Sequence, residues 1–194
     1  KKYKVEVAFG RATLSAGPAV TVDGETHEAD NVLICTGSSP AKPPIPGIDA
    51  DHVVDSSGIL ELPELPERLV IVGGGVIGCE FACVFGSVGV PVTVIEALPE
   101  ICPGVDPEVA AVLRTELEKK NITFQLNAKV DEIGEKEVKF TLDGETQSVP
   151  GDVVLVATGR KPNVSGLGLE DLRVDVDERG GIRVNDRGDR KSVV

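Results

Sequence analysis

The stretch RLVIVGGGVIG, residues 68–78, decides how the chain folds. It begins as a short apolar run, typical of a buried β-strand, and leads directly into three glycines. Apolar residues then recur at helical spacing as far as Val88, and Gly89 follows. A second apolar segment, Val92 to Ile95, ends at the acidic Glu96. This pattern predicts a strand, a glycine turn, a helix and a second parallel strand.

The glycines of this turn have the spacing of a dinucleotide-binding loop. Gly73, Gly75 and Gly78 match G-x-G-x-x-G, in which the first glycine permits the tight turn, the second admits a pyrophosphate and the third lets the helix approach the sheet. The helix N-terminus offers free N–H groups to the anion. Glu96 follows where an acidic side chain binds the adenosine ribose and disfavours the 2′-phosphate of NADP. The sequence therefore predicts an NAD site, with a ligand-free glycine turn as the alternative.

The elements after Glu96 complete an α/β unit. A helix is predicted over Asp106 to Lys120, because Asp106 can cap it and Pro107 suits its first position. Its predicted apolar face consists of Val109, Val112, Leu113 and Leu117. Asn121 to Phe124 is the expected third strand, and residues 128–149 the expected β-meander. The predicted fold class is α/β, with a Rossmann-like parallel sheet, helices on both faces and the meander.

An internal repeat links the two ends of the chain. Residues 21–40 and 141–162 each contain a hairpin with an Asp-Gly turn, followed by a continuously apolar strand and then Thr-Gly. The apolar strands, Val32 to Cys35 and Val153 to Ala157, are both predicted to be buried in parallel sheets. Only about twenty residues precede the first copy, too few for a βαβ unit of about thirty. Because the chain also contains no Met, we expect a piece of a longer protein that lacks the start of a related domain.

Composition limits the function classes. The formal net charge is −12, which argues against a nucleic-acid partner because such proteins carry a basic face. No run approaches the roughly 18 apolar residues of a membrane helix, so a cytoplasmic protein without membrane contact is expected. The four cysteines lack metal-site spacing, and we expect reduced, mostly buried thiols and no metal.

Longer motifs resemble one family, the FAD-dependent pyridine nucleotide-disulfide oxidoreductases, and within it most closely the dihydrolipoamide dehydrogenases. The motifs that carry the resemblance are NVLICTGS (31–38), PPIPG (43–47), GGGVIGCEFA (73–82), VTVIEALPEICPGVDPEV (92–109) and VATGRKPN (156–163). In this family an NAD(P) domain of similar fold interrupts an FAD domain, which would explain the repeat. The resemblance implies an FAD-domain remnant at residues 1–40, an NAD-binding domain at 41–163 and a return segment at 164–194.

The resemblance also implies site residues. The positions that match NAD contacts are Gly73, Gly74, Gly75, Val76, Ile77, Gly78, Glu80, Glu96, Val130, Thr158, Gly159, Arg160 and Lys161. The positions near FAD in the whole protein are Ala12, Thr36 and Gly37. Simpler roles stand beside some of these: Val130 as core, Arg160 as a solvated charge, Thr36 as a strand end, and Glu80 as an acid favoured by the helix dipole.

The catalytic parts of the family are absent from this sequence. No cysteine pair is spaced C-x4-C, and neither His27 nor His52 precedes a proline. The resemblance therefore implies NAD(H) binding with little or no turnover here. The parent protein would oxidise dihydrolipoamide with NAD⁺ through FAD and a redox disulfide, as a homodimer that can belong to a 2-oxoacid dehydrogenase complex. Alternatives are an NADH oxidase or ferredoxin reductase, or a non-catalytic dinucleotide-binding module.

Overall fold

A computed structural model describes residues 3–190, in which two compact units are distinguished. The first unit combines the chain up to Ser39 with the chain from Lys161 onward, and the second unit is Pro40–Arg160. The second unit is thus inserted into the sequence of the first. The end of the predicted return segment, residues 191–194, lies outside the described residues.

Residues 3–190 form short strands and two α-helices. The strands are β1 (Ala12–Ser15), β2 (Ala19–Val22), β3 (Glu25–Glu28), β4 (Ser38–Pro40), β5 (Val53–Val54), β6 (Leu69–Val72), β7 (Val92–Ile95), β8 (Ile122–Gln125), β9 (Lys129–Ile133), β10 (Glu137–Leu142), β11 (Glu145–Pro150), β12 (Val153–Val156) and β13 (Arg160–Pro162). The helices are α1 (Val76–Ser87) and α2 (Pro107–Glu118), with a 3₁₀ turn at Gly58–Glu61. None of the described helices is long and apolar enough to cross a membrane.

A five-stranded parallel sheet forms the centre of the second unit. Its strand order is β5-β12-β6-β7-β8. Leu69 and Ile71 of β6 face the core that contains Ala82, Phe85 and other residues of the helices. Alternate sheet residues face a second core, which β9, β10 and β11 help to build. The α/β prediction with a parallel sheet and meander is confirmed. The expected helices on both faces were wrong, because α1 and α2 pack on one face and the meander covers the other.

Helix α2 begins as predicted but buries a different stripe. Asp106 caps it by accepting hydrogen bonds from the N–H groups of Glu108 and Val109, a contact of about 1 kcal/mol. Ala110 and Leu117 are buried. The predicted apolar face was wrong at three of its four residues, since all except Leu117 are exposed: Val109, Val112 and Leu113. The helix is rotated so that its i, i+4, i+7 stripe, 110, 114 and 117, faces inward.

The first unit contains an antiparallel sheet, β1-β2-β3. Its Asp23-Gly24 turn has positive φ at both residues, 47° and 92°, and the repeat partner Asp143-Gly144 has 52° and 82°. Both predicted hairpins are therefore confirmed, with turns of the type that suits two-residue loops.

The apolar strand predicted at residues 32–35 was wrong. No strand is assigned there, and Leu33 is 86% exposed. Its repeat partner β12 is buried because β5 and β6 pair with its two edges, whereas no described strand pairs with residues 32–35. The prediction of mostly buried thiols holds for Cys79 and Cys102 but fails for Cys35, which is exposed.

Candidate nucleotide site

A cavity of about 770 Å³ opens in the second unit where β6, β7 and β12 end. Ligands of open α/β sheets bind in such a crevice beyond the carboxyl ends of the strands, and the volume lies within the usual range of ligand pockets. Eight of the predicted site residues line it: Gly73, Gly75, Val76, Ile77, Glu96, Val130, Thr158 and Gly159. Residues predicted from separate parts of the sequence thus line one cavity.

The three motif glycines have different structural roles. Gly73 has φ of 106°, and a Cβ there would lie 2.7 Å from the carbonyl oxygen of Ala157. A Cβ on Gly78 would overlap the carbonyl oxygen of Gly73, so its absence lets α1 approach the turn. Gly75 instead has open space where its Cβ would be. The first and third glycines are thus required by the fold, whereas the second leaves room beside the cavity.

The N-terminus of α1 contributes to the same cavity. Gly75 is its N-cap and supplies no side-chain acceptor to the first turn, while Val76 and Ile77 line the cavity. The first N–H groups of a helix lack intrahelical partners and carry the positive end of the helix dipole. This arrangement fits a pyrophosphate group.

Glu96 is a buried acid at the wall of the cavity. Its side chain is held at both oxygens: Oε2 accepts from the N–H of Gly74 at 2.6 Å and Oε1 from the N–H of Leu98 at 2.8 Å. The residue is 8% exposed. Because each carboxylate oxygen has two acceptor sites, the carboxylate retains capacity for a hydroxyl donor such as a ribose. The contacts hold it fixed before any ligand arrives.

The loop after Glu96, residues 97–105, forms part of the wall through Ala97, Leu98 and Pro103. Arg114 of α2 binds Glu100 of this loop through two contacts, Nε to Oε1 at 2.9 Å and Nη2 to Oε2 at 3.1 Å. The hydrogen bonds from Arg114 lower the pKa of the Glu100 carboxyl below its usual range, and the same pair raises the pKa of Arg114.

This pair predicts a pH dependence. A carboxyl with a lowered folded-state pKa stabilises the fold above its unfolded pKa, about 4.3, and that contribution is lost as pH falls through the folded-state value. We therefore expect the unfolding free energy of Glu100→Gln to be lower at pH 7 and to fall less between pH 5 and pH 3. Urea unfolding at several pH values between 3 and 7 measures these free energies. The control is Glu132→Gln, which removes an exposed carboxylate that pairs with Lys139. The prediction is contradicted if the unfolding free energy falls equally between pH 5 and pH 3 in the unsubstituted chain, Glu100→Gln and Glu132→Gln.

Other predicted site residues lie away from the cavity lining. Gly74 packs against Glu96 and Ile101, and Gly78 against the backbone of Gly73. Glu80 is exposed on α1 beyond its first turn, so its alternative role as a first-turn acid was wrong. Arg160 and Lys161 are exposed on β13. The residues predicted near FAD belong to the first unit. There Ala12 begins β1. Thr36 and Gly37 both bind the backbone of Asn163: Thr36 Oγ1 donates to its carbonyl at 2.7 Å, and the N–H of Asn163 donates to the carbonyl of Gly37 at 3.0 Å.

Several lining residues were not predicted. Lys129 and Asp131 flank the predicted Val130, and this adjacency was an available signal. Pro43, Pro44 and Ile45 enter the wall because the next residue, Pro46, accepts a hydrogen bond from the N–H of Ile133 at 2.9 Å. That tertiary contact has no local sequence signal.

Cys79 on α1 is a buried thiol that does not line the cavity. Burial, with the Cys102 thiol beside it, raises the pKa of Cys79 to about 12, so its nucleophilic thiolate form is suppressed. Within residues 3–190, no group of three His, Cys, Asp or Glu side chains is placed to hold a metal ion.

A parallel α/β sheet with a glycine turn at its crevice defines the Rossmann-like class of folds. Comparison with known proteins then gives the family: the chain belongs to the pyridine nucleotide-disulphide oxidoreductases, whose sequence profile matches residues 1–193. It is 41% identical over 193 residues to dihydrolipoyl dehydrogenase 3 of Pseudomonas aeruginosa, covering 93% of this chain and 41% of that protein. Identity to dihydrolipoyl dehydrogenase of Acholeplasma laidlawii is 37% over 190 residues, covering 96% and 56%.

A solved structure is also similar. The HOCl-induced flavoprotein disulfide reductase RclA of Escherichia coli matches with a TM-score of 0.83 and 34% identity, covering 96% of this chain and 43% of that one. The chain thus spans between 41% and 56% of the length of these relatives. The family assignment made from the sequence motifs is confirmed.

Proposed function

We propose that the second unit binds NAD(H) in a flavin-dependent disulfide oxidoreductase. The observation that carries the proposal is that Glu96 and the glycine turn, separate in sequence, line one cavity. The α1 N-terminus suits the pyrophosphate. The fixed Glu96 carboxylate suits the hydroxyls of an adenosine ribose and would repel the additional phosphate of NADP.

The similarity to two dihydrolipoyl dehydrogenases supports a specific parent reaction. Both relatives are dihydrolipoyl dehydrogenases, so we propose that the parent protein converts dihydrolipoamide and NAD⁺ into lipoamide and NADH. NAD supplies the hydride chemistry when bound; the residues of this chain bind and orient it. In the parent, FAD would lie near Ala12, Thr36 and Gly37, and the redox disulfide would come from residues that this sequence does not contain. A homodimeric parent is part of the proposal.

The test is a calorimetric titration of the 194-residue chain with NADH and, separately, with NADPH. We expect NADH to bind more tightly than NADPH, because the 2′-phosphate of NADPH would meet the buried carboxylate of Glu96. Glu96→Ala should weaken NADH binding by about tenfold, the equivalent of roughly 1.4 kcal/mol, and should narrow the preference between the two nucleotides.

The matched control is Glu132→Ala, which removes an exposed acid and should leave both affinities unchanged. Unfolding curves for each variant separate a lost contact from a lost fold. Absence of binding by either nucleotide, or equal affinity of Glu96→Ala and the unsubstituted chain for NADH, would contradict the proposal.

A further inference from the structure

The loop at residues 97–105 needs tertiary anchors, because it contains no helix or strand. One anchor is Ile101, which is 1% exposed and packs against Gly74. A second is the N–H of Cys102, which donates to the carbonyl of Gly74 at 2.8 Å. The third is the two-point contact from Arg114 to Glu100. The first two anchors join the loop to the glycine turn at Gly74, and the third joins it to α2.

Glu100 connects these anchors. Its Oε1 accepts both from Arg114 Nε and from the N–H of Ile101, each at 2.9 Å. Gly74, against which Ile101 packs, donates its own N–H to Glu96 at 2.6 Å. A continuous series of contacts therefore runs from the guanidinium on α2 to the carboxylate at the cavity.

The Arg114–Glu100 pair is suited to hold a fixed geometry. The two side chains are 26% and 24% exposed, so solvent screens them less than a surface pair. A planar guanidinium that binds both carboxylate oxygens fixes direction as well as distance. Arg114 also contacts Glu118 at 3.1 Å within α2, and that contact does not reach the loop.

We propose that Arg114 is a positioning residue for nucleotide selection. Through Glu100 it holds the 97–105 loop, and by way of Gly74 it keeps the carboxylate of Glu96 oriented toward the ribose of the nucleotide. Arg114 itself does not line the cavity. The inference rests on the proposed NAD-binding function and extends it to a residue on another helix.

The experiment compares NADH and NADPH affinities of the 194-residue chain carrying Arg114→Gln, Arg114→Lys, Glu100→Gln or Glu118→Gln. Arg114→Gln and Glu100→Gln should weaken NADH binding about fivefold to tenfold and leave NADPH binding within about twofold, because only NADH gains from an oriented carboxylate. Arg114→Lys should retain more of the preference for NADH over NADPH than Arg114→Gln, because lysine keeps the positive charge. It should retain less than the unsubstituted chain, because lysine cannot make the two-point contact. Glu118→Gln, which removes the other partner of Arg114, should match the unsubstituted chain.

The ratio of the two affinities distinguishes positioning from general destabilisation, which would weaken both nucleotides alike. An unchanged ratio in Arg114→Gln overturns the inference while leaving the proposed function standing. If the unsubstituted chain binds neither nucleotide, the proposed function and this inference fail together. Urea unfolding accompanies each titration, and Glu100→Gln with Arg114→Lys decides the question if Arg114→Gln does not fold.

Discussion

A Gly75→Asp variant should fold like the unsubstituted chain and bind NADH about 100-fold more weakly, roughly 2.7 kcal/mol. Gly75 has φ of −69° and ψ of −177°, a conformation open to any residue, and nothing lies within 4 Å of its ideal Cβ. The new side chain would enter the space beside the α1 N-terminus and place a negative charge where we propose that the pyrophosphate binds. Calorimetric titration and circular dichroism measure the two effects.

Gly75→Ala provides a graded control for charge and volume. It adds one methyl group at the same point, so it should retain the fold and lose much less affinity than the aspartate variant. Equal NADH binding by Gly75→Asp and the unsubstituted chain would show that the pyrophosphate does not lie beside this glycine.

Gly78→Val should act mainly on stability, whereas Gly75→Asp acts mainly on NADH affinity. A Cβ at this position overlaps the carbonyl oxygen of Gly73 and also approaches Ile71 of β6 at 3.3 Å. Helix α1 must then move away from the sheet, and overpacking of this kind costs about 3 kcal/mol. The melting temperature should fall by about 6 °C or more for a chain of this size.

Differential scanning calorimetry and urea unfolding test this expectation, with Gly75→Ala as the control that adds a methyl group in the same turn without a clash. A melting temperature within 2 °C of the unsubstituted chain (about 0.5–1 kcal/mol) would mean that α1 is not held against the turn in solution. Together, the two substitutions separate the glycine that leaves space for a ligand from the glycine that lets the helix pack.

Local patterns predicted the parts of the fold that local forces determine. The apolar run of β6, the glycine turn and the acid after β7 gave the order of elements correctly, because each depends on neighbours within about thirty residues. The Asp106 cap and both Asp-Gly turns were predictable for the same reason. The position of Glu96 after the glycine turn also predicted that both belong to one site, and both line the same cavity.

Failures occurred where burial depends on a distant partner. Residues 32–35 have the composition of β12 but lack its two neighbouring strands among the described residues. Val109 and Val112 lie on a plausible helical stripe, yet the helix turns its Ala110–Leu117 side inward. The Arg114–Glu100 contact joins residues that no short motif links. Periodicity identifies an apolar face, but only the tertiary structure shows what covers it.

The placement of β12 between β5 and β6 has a consequence for the order of folding. Val154 pairs with Val53 on one side and with Val70 on the other, so the centre of the sheet forms from segments separated by about 80 to 100 residues. Contacts across such long intervals are slow to form, because the chain must close the loop before it gains the contact. During synthesis β6, β7 and α1 leave the ribosome well before β12, and one edge of β6 stays unpaired in the interval. Edges of this kind are where nascent chains aggregate, so chaperone demand should concentrate in this window.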